Sequence, residues 1–324
     1  MRQAEFAAEA IVATTDPEVA TATAQVLIDY PQPRERTALL ARIRELRAGK
    51  KHDRGGALRA ALLAALGPVA SQDDVELLET ITQEAEKSFQ GSGDGLRAAA
   101  LVALHQVDSD RAAYHAVDLL WEYGKRRPEG KAGSEPALSA VRVLGATGQP
   151  LAVYAALVSG LEFPTDVTAE CLRALEGAPP WVVERLFGMF TGGRDEFLLL
   201  GAVDLIIAHP GSPSLHALFS EFLQLAPPDV FRYAATASVA SRRHDLIGLL
   251  IAAAEQETRH RRLSVYADAF GLARADERVP PTLVSIRDRL SQPEVQRVER
   301  PSGRAAREEP ETEDDEDEDG IQEP

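Results

Sequence analysis

Side chains that ligate, attack or exchange protons are sparse in this chain and rarely cluster. It holds seven histidines (His52, His105, His115, His209, His216, His244 and His260) and a single cysteine, Cys171. His105 and His115 flank Asp108 and Asp110, so two imidazoles fall on adjacent helices with two carboxylates in the turn between them. A protein metal site needs three or four converging ligands, and a turn with capping carboxylates and surface imidazoles is the simpler reading. No His-Glu-x-x-His occurs, and Cys171 lies in an apolar run, Ala169 to Leu175, as a small core hydrophobe would. The segment Gly91-Ser-Gly-Asp-Gly95 has the glycines of a phosphate loop without the following Lys-Ser/Thr or a preceding strand, and reads as a linker. The acids Asp73-Asp74 and Glu84/Glu86 fall on exposed helical faces. No catalytic, metal or cofactor set emerges, and the expectation is a protein that is not an enzyme.

The elements that would position such residues repeat. Leu58-Arg-Ala-Ala-Leu-Leu-Ala-Ala-Leu66 recurs as Leu96-Arg-Ala-Ala-Ala-Leu-Val-Ala-Leu104 and more loosely as Pro136 to Leu144. Weaker copies close at Leu175, Ile206, Val239 and Leu272. Closing residues 31 to 40 positions apart are the signature of a helical repeat array. Each copy is followed by a polar break and a second run with apolar residues at 3- and 4-residue steps, such as Val75, Leu77, Leu78 and Ile81. That period describes a helix with one buried stripe. Thr15-Asp-Pro-Glu18 has capping-box spacing, Ser71 with Asp74 resembles one, and Pro136, Pro164, Pro180, Pro213 and Pro228 fall where a helix should begin. No strand-period alternation competes. The reading is all-α: a leading helix near Gln3 to Thr14, then about eight helix pairs ending near Leu290. Ala61, Ala99, Ala140, Ala169 and Gly201 would let neighbouring first helices approach closely.

Leu-Arg-x-Ala-Ala-x-x-Ala-Leu, a polar break and a second helix resembles the HEAT and HEAT-like repeats of the armadillo-type α-solenoid family. The likeness spans most of residues 17 to 291, close only at Leu58 and Leu96; the first-helix arginine, present as Arg59 and Arg97, is missing from later copies. The resemblance implies a right-handed solenoid, residues 1–297, whose surface binds proteins or, less often, nucleic acid. It brings no general catalytic residue. HEAT-like DNA glycosylases and bilin lyases are enzyme relatives of that class, but the first would want a basic groove rich in aromatics. Here aromatics are 6% and the indoles are only Trp121, expected at the core edge, and Trp181, expected partly exposed at a helix start.

Charge is concentrated at one end. The formal net charge is −16, yet eleven acids lie between Glu308 and Glu323, among them Glu313, Asp314, Asp315, Glu316, Asp317, Glu318 and Asp319. Without them 40 acids face 35 bases, leaving a body at −5. Such a block repels itself and has little to bury, so residues 298–324 are expected to be a disordered tail, basic and then strongly acidic. Two basic loops, with Lys50, Lys51 and Arg54 in one and Lys125, Arg126, Arg127 and Lys131 in the other, would project from one edge about 20 Å apart. They form a candidate binding rim. Arg259, Arg261 and Arg262 form a second basic cluster at a helix start, where positive charge opposes the helix dipole.

The single cysteine fits a reducing compartment, and no run of about 18 apolar residues is present to span a membrane. The N-terminus lacks the basic region of a secretory signal, and a cytoplasmic location is expected. The leading functional expectation is a scaffold or adaptor that binds a protein partner on the solenoid surface, with the tail tuning the interaction. A second is nucleic-acid association through the basic rim, with the tail as a tethered competitor. A third is an assembly factor whose acidic tail itself binds basic proteins. The competitor reading predicts that ending the chain after Arg307 raises DNA or RNA affinity, most steeply at low salt; an unchanged gel shift would refute it.

Overall fold

The computed structural model describes residues 2–49, 53, 55–84, 93–125, 133–193 and 195–291. They form seventeen α-helices: α1 (Arg2–Ala13), α2 (Pro17–Asp29), α3 (Arg36–Ala48), α4 (Ala57–Leu66), α5 (Val75–Gln83), α6 (Asp94–Val107), α7 (Ser109–Lys125), α8 (Ala137–Ala146), α9 (Pro150–Val158), α10 (Thr165–Arg173), α11 (Pro180–Thr191), α12 (Glu196–Ala208), α13 (Pro213–Leu225), α14 (Pro228–Ala240), α15 (His244–Gln256), α16 (His260–Phe270) and α17 (Val279–Ser291). Among the described residues there is no strand. One leading helix and eight pairs account for all seventeen. The acidic tail lies outside the described residues.

The helices begin where local chemistry supplies a start. Pro17, Pro180, Pro213 and Pro228 each occupy the first turn of their helix, where a missing N–H leaves no bond unmade. Pro136 and Pro164 stand one residue earlier, at the caps of α8 and α10. Asp16, not Thr15, caps α2: its Oδ1 accepts from the Glu18 N–H at 2.9 Å. A carboxylate one residue before the proline reaches the open N–H groups, so a single Asp16 cap takes the place of the capping box expected at Thr15. The Ser71–Asp74 capping box is present, ahead of a 3-10 turn that leads into α5. Gly93 caps α6 in a left-handed conformation (φ 71°), so Asp94 and Gly95 belong to its first turn and not to a linker.

Packing sorts the helices into two layers. Each even-numbered helix from α2 to α16 stacks on the next even one, and most odd-numbered helices stack likewise on their odd neighbours. All the repeated segments read from the sequence fall on even helices from α4 onward. The even helices are covered on both flanks and along the odd layer, so α4 and α6 bury nearly every residue of their motifs, Arg59 and Arg97 included. The last copy is the exception in register. Leu272 lies beyond α16 and is 64% exposed, while Phe270 is fully buried and fills the closing position. α16 is therefore displaced by two residues from the sequence alignment.

Small residues set the spacing between even helices. A Cβ built on Gly201 of α12 would stand 2.9 Å from both the Cα and the carbonyl oxygen of Ala169 in α10, a backbone contact that cannot yield cheaply. Gly145 of α8 meets the Ala174 methyl in the same way, at 3.1 Å. Intrinsic helix propensity favours Gly201→Ala by about 1 kcal/mol. The overpacked interface should reverse the sign, so that urea unfolding reports Gly201→Ala as destabilised by ~1–3 kcal/mol.

Candidate functional site

The positions singled out in the sequence divide sharply. Of the expected rim, Lys50, Lys51, Arg54, Arg126, Arg127 and Lys131 lie outside the described residues; Lys125 is exposed at the end of α7. Gly124 is not loop but the last buried turn of α7, packed within 2.9 Å of Leu161 and Phe163 by the position a Cβ would take. His105 and His115 do stand on α6 and α7 but do not share a ligand: His115 Nε2 faces Glu79 at 3.3 Å, and Asp108 Oδ1 accepts from the Arg111 N–H. Cys171 is fully buried in α10, and desolvation pushes its thiol up to about 12, which keeps it protonated and inert.

The second basic cluster is exposed at Arg259 and Arg261 and partly buried at Arg262. Arg259 makes a two-pronged pair with Glu257, both contacts at 2.8 Å, which supplies the negative charge the helix start needs. That bond raises the Arg259 pKa. Arg262 reaches back one repeat: its guanidinium donates to the Leu223 carbonyl and, at 2.8 Å, to that of Ala226, and lies 4.3 Å from the Phe231 ring centroid. Burial lowers its pKa. Only Arg261 projects freely into solvent. The positive charge at this helix start is thus answered within the fold by Glu257 and by the C-terminal carbonyls of α13.

A different surface carries the unpartnered side chains. Several outward positions of α9 and α11, and Tyr114 on α7, hold large apolar or aromatic residues where a solvated repeat should hold polar ones. Tyr114, Leu151 and Trp181 are 78%, 76% and 58% exposed. On α11, Trp181, Arg185 and Met189 follow at four-residue steps and share one face; on α9, Leu151, Tyr154 and Val158 share one at steps of three and four. Tyr154 and Trp181 meet edge to face, with ring centroids 6.1 Å apart at 82°. Arg185 donates to the Tyr154 hydroxyl at 2.8 Å. Between α7 and α9 lies a depression of about 380 Å³, bordered by Tyr114, Val117, Gln149 and Ala152. The sequence reading placed Trp181 at a partly exposed helix start and passed over its neighbours. The available signal was α9 itself, whose segment PLAVYAALV is apolar throughout, while only Val153 and Ala156 are buried.

The charged groups tie consecutive repeats together. Arg36 grips Asp74 with two bonds of 2.8 Å, and Arg142, Glu170, Arg173 and Asp204 form a chain across α8, α10 and α12. Tyr233 of α14 extends that chain by donating to Asp204, and burial followed by this bond pushes its hydroxyl up to about 12. Asp245 at the start of α15 takes both prongs of Arg243 and the ring of His216. Among the described residues no three His, Cys, Asp or Glu side chains converge as a metal site would require, and none of the helices is long and apolar enough to cross a membrane. The chain matches no family model, no curated protein and no solved structure.

Asp245 yields a pH prediction. The Arg243 bond, opposed by burial and aided by His216, holds its carboxyl down to about 2. A depressed folded pKa contributes stability above the unfolded value near 3.9, and that contribution disappears as pH falls toward 2. In an NMR titration Asp245 should therefore titrate near pH 2, and Arg243→Gln should return it to the ordinary carboxylate range.

Proposed function

We propose that the chain is a non-enzymatic scaffold that binds a protein partner on the outward face of α7, α9 and α11. The observation that carries this reading is the exposed Trp181–Tyr154–Arg185 group, flanked by Leu151 and Tyr114. Trp, Tyr and Arg dominate the energetics of protein interfaces, because each combines a large apolar body with directional polar contacts. Singly exposed apolar side chains are ordinary on any surface, whereas contiguous exposed ones on adjacent helices mark interaction sites.

The repeat packing supports placing the chain among the HEAT-like, right-handed α-solenoids. In such an array the outward residues of one layer vary freely while the stacked interior stays fixed. A buried, protonated Cys171 as the sole thiol is compatible with a cytoplasmic setting. In this reading the acidic tail tunes which partners approach.

The test is a pair of substitutions that leave the core untouched. Trp181→Ala combined with Leu151→Ser should change the unfolding free energy by no more than about 0.5 kcal/mol, since both side chains face solvent. Recovery of a stoichiometric protein partner by cross-linking should fall at least tenfold, in keeping with a hot spot worth about 2 kcal/mol or more. Equal recovery with the double variant would move the interface elsewhere, and turnover of a small molecule without any stoichiometric partner would sink the scaffold reading.

A further inference from the structure

A second surface, three repeats farther along, combines an apolar hollow with unneutralised positive charge. The turn between α14 and α15 and the segment joining α16 to α17 enclose a space of about 560 Å³, lined by Val239, Ala240, Arg242, His244, Ile247, Leu272, Ala273, Ala275 and Asp276. Leu272, 64% exposed, stands at its border. Arg242 is the only non-glycine described residue with positive φ, 58°. That conformation costs a side-chain-bearing residue of order 1 kcal/mol or more, and such residues gather at functional sites. Asp276, the one acid lining the pocket, is held by Arg278 at 2.7 Å, and nearby Asp245 by Arg243; exposed Glu277 follows Asp276 in the chain. Among the described residues neither Arg242 nor exposed Arg274 has a carboxylate partner.

We propose that this pocket is a docking site for an acidic segment bearing one aliphatic side chain, and that its occupant is the chain's own residues 313–323. There seven consecutive acids, Glu313 to Asp319, precede Gly320 and Ile321, the one large aliphatic residue of residues 308–324. The acids complement Arg242 and Arg274, and Ile321 fills the apolar hollow. Chain length agrees. The helix α17 carries the chain 13 residues away from the pocket, about 20 Å at 1.5 Å per residue. Between Ser291 and Glu313 lie 21 residues containing Pro and Gly. A random-coil chain of that length has a root-mean-square span of roughly 25 Å. A tether whose span matches the distance gives the highest effective concentration, in the millimolar range. Weak electrostatic contacts then suffice to keep the segment docked. The Trp181 face is not involved, so this inference stands apart from the proposed partner site.

Hydrogen exchange on the full chain tests it. Amides in 244–247 and 271–276 should exchange at least fivefold faster in Ile321→Ser, and in a variant with Glu313–Asp319 converted to Gln and Asn, than in the unmodified protein. Arg242→Gly separates docking from folding: glycine adopts φ 58° without penalty, so the melting temperature should hold or rise while the same amides lose protection. Trp181→Ala should leave them unchanged. Unaltered exchange in Ile321→Ser overturns the proposal. Faster exchange in Arg242→Gly alone also overturns it, by showing a local effect of the turn. Acceleration spread evenly over the body would mean diffuse electrostatics instead of docking, and would overturn it as well.

Discussion

Each even-numbered helix between α4 and α14 is clasped by another of its own kind on both flanks, and this double contact governs the rest of the molecule. A helix covered on two flanks and from the odd layer has only a narrow solvated face, which carries residues such as Arg142 and Arg173; the rest must be apolar and, where backbones converge, small. Gly201 against Ala169 and Gly145 against Ala174 are the points where that demand is strictest. Odd helices are covered less completely and keep a free outer face. The large exposed side chains of α7, α9 and α11 are allowed there because nothing in the stacking requires those positions.

Close stacking creates a polar problem at the helix ends. The last carbonyls of a helix have no partner within it, and neighbouring repeats shield many of them from water. Arginines from the following repeat supply the donors. Arg97 reaches the Thr82 carbonyl, Arg243 those of Ile206 and Ile207, Arg262 that of Ala226, and Arg289 that of Ala254. Arg59 works differently, clamping buried Asp53 at 2.8 Å while that carboxylate also accepts from the Leu58 and Arg59 N–H groups. The pair anchors the entry to α4. Many of the cations that a residue count assigns to the surface are thus structural, and those without a carboxylate partner among the described residues, such as Arg185 and Arg242, become informative.

The fold was legible because its cause is periodic. The Ala/Leu motif marks the even helices, and prolines mark the starts of α11, α13 and α14, since both follow from local rules. Register slipped only at α16, where Leu272 matches the motif in type but the helix ends two residues earlier and Phe270 takes its place in the core. The exposed aromatic surface was mostly illegible. Whether Leu151 or Tyr114 faces a neighbour or the solvent depends on how odd helices stack, which no single repeat encodes. The contacts of Arg262 were illegible for the same reason: the carbonyls of α13 that engage it lie 36 and 39 residues earlier in the chain.

That spacing has a mechanical meaning. Among the described residues no side-chain hydrogen bond joins positions more than 39 apart, so every repeat is held by its neighbours alone. The body then behaves as a one-dimensional lattice and not as a solid with a shared centre. Strain applied at one end divides among successive interfaces, each yielding by a small rotation that adds to the next. The polar chain from Arg142 through Glu170, Arg173 and Asp204 to Tyr233 crosses three of these joints in a row. Bending at any one of those joints must therefore disturb a polar contact that is linked to the next.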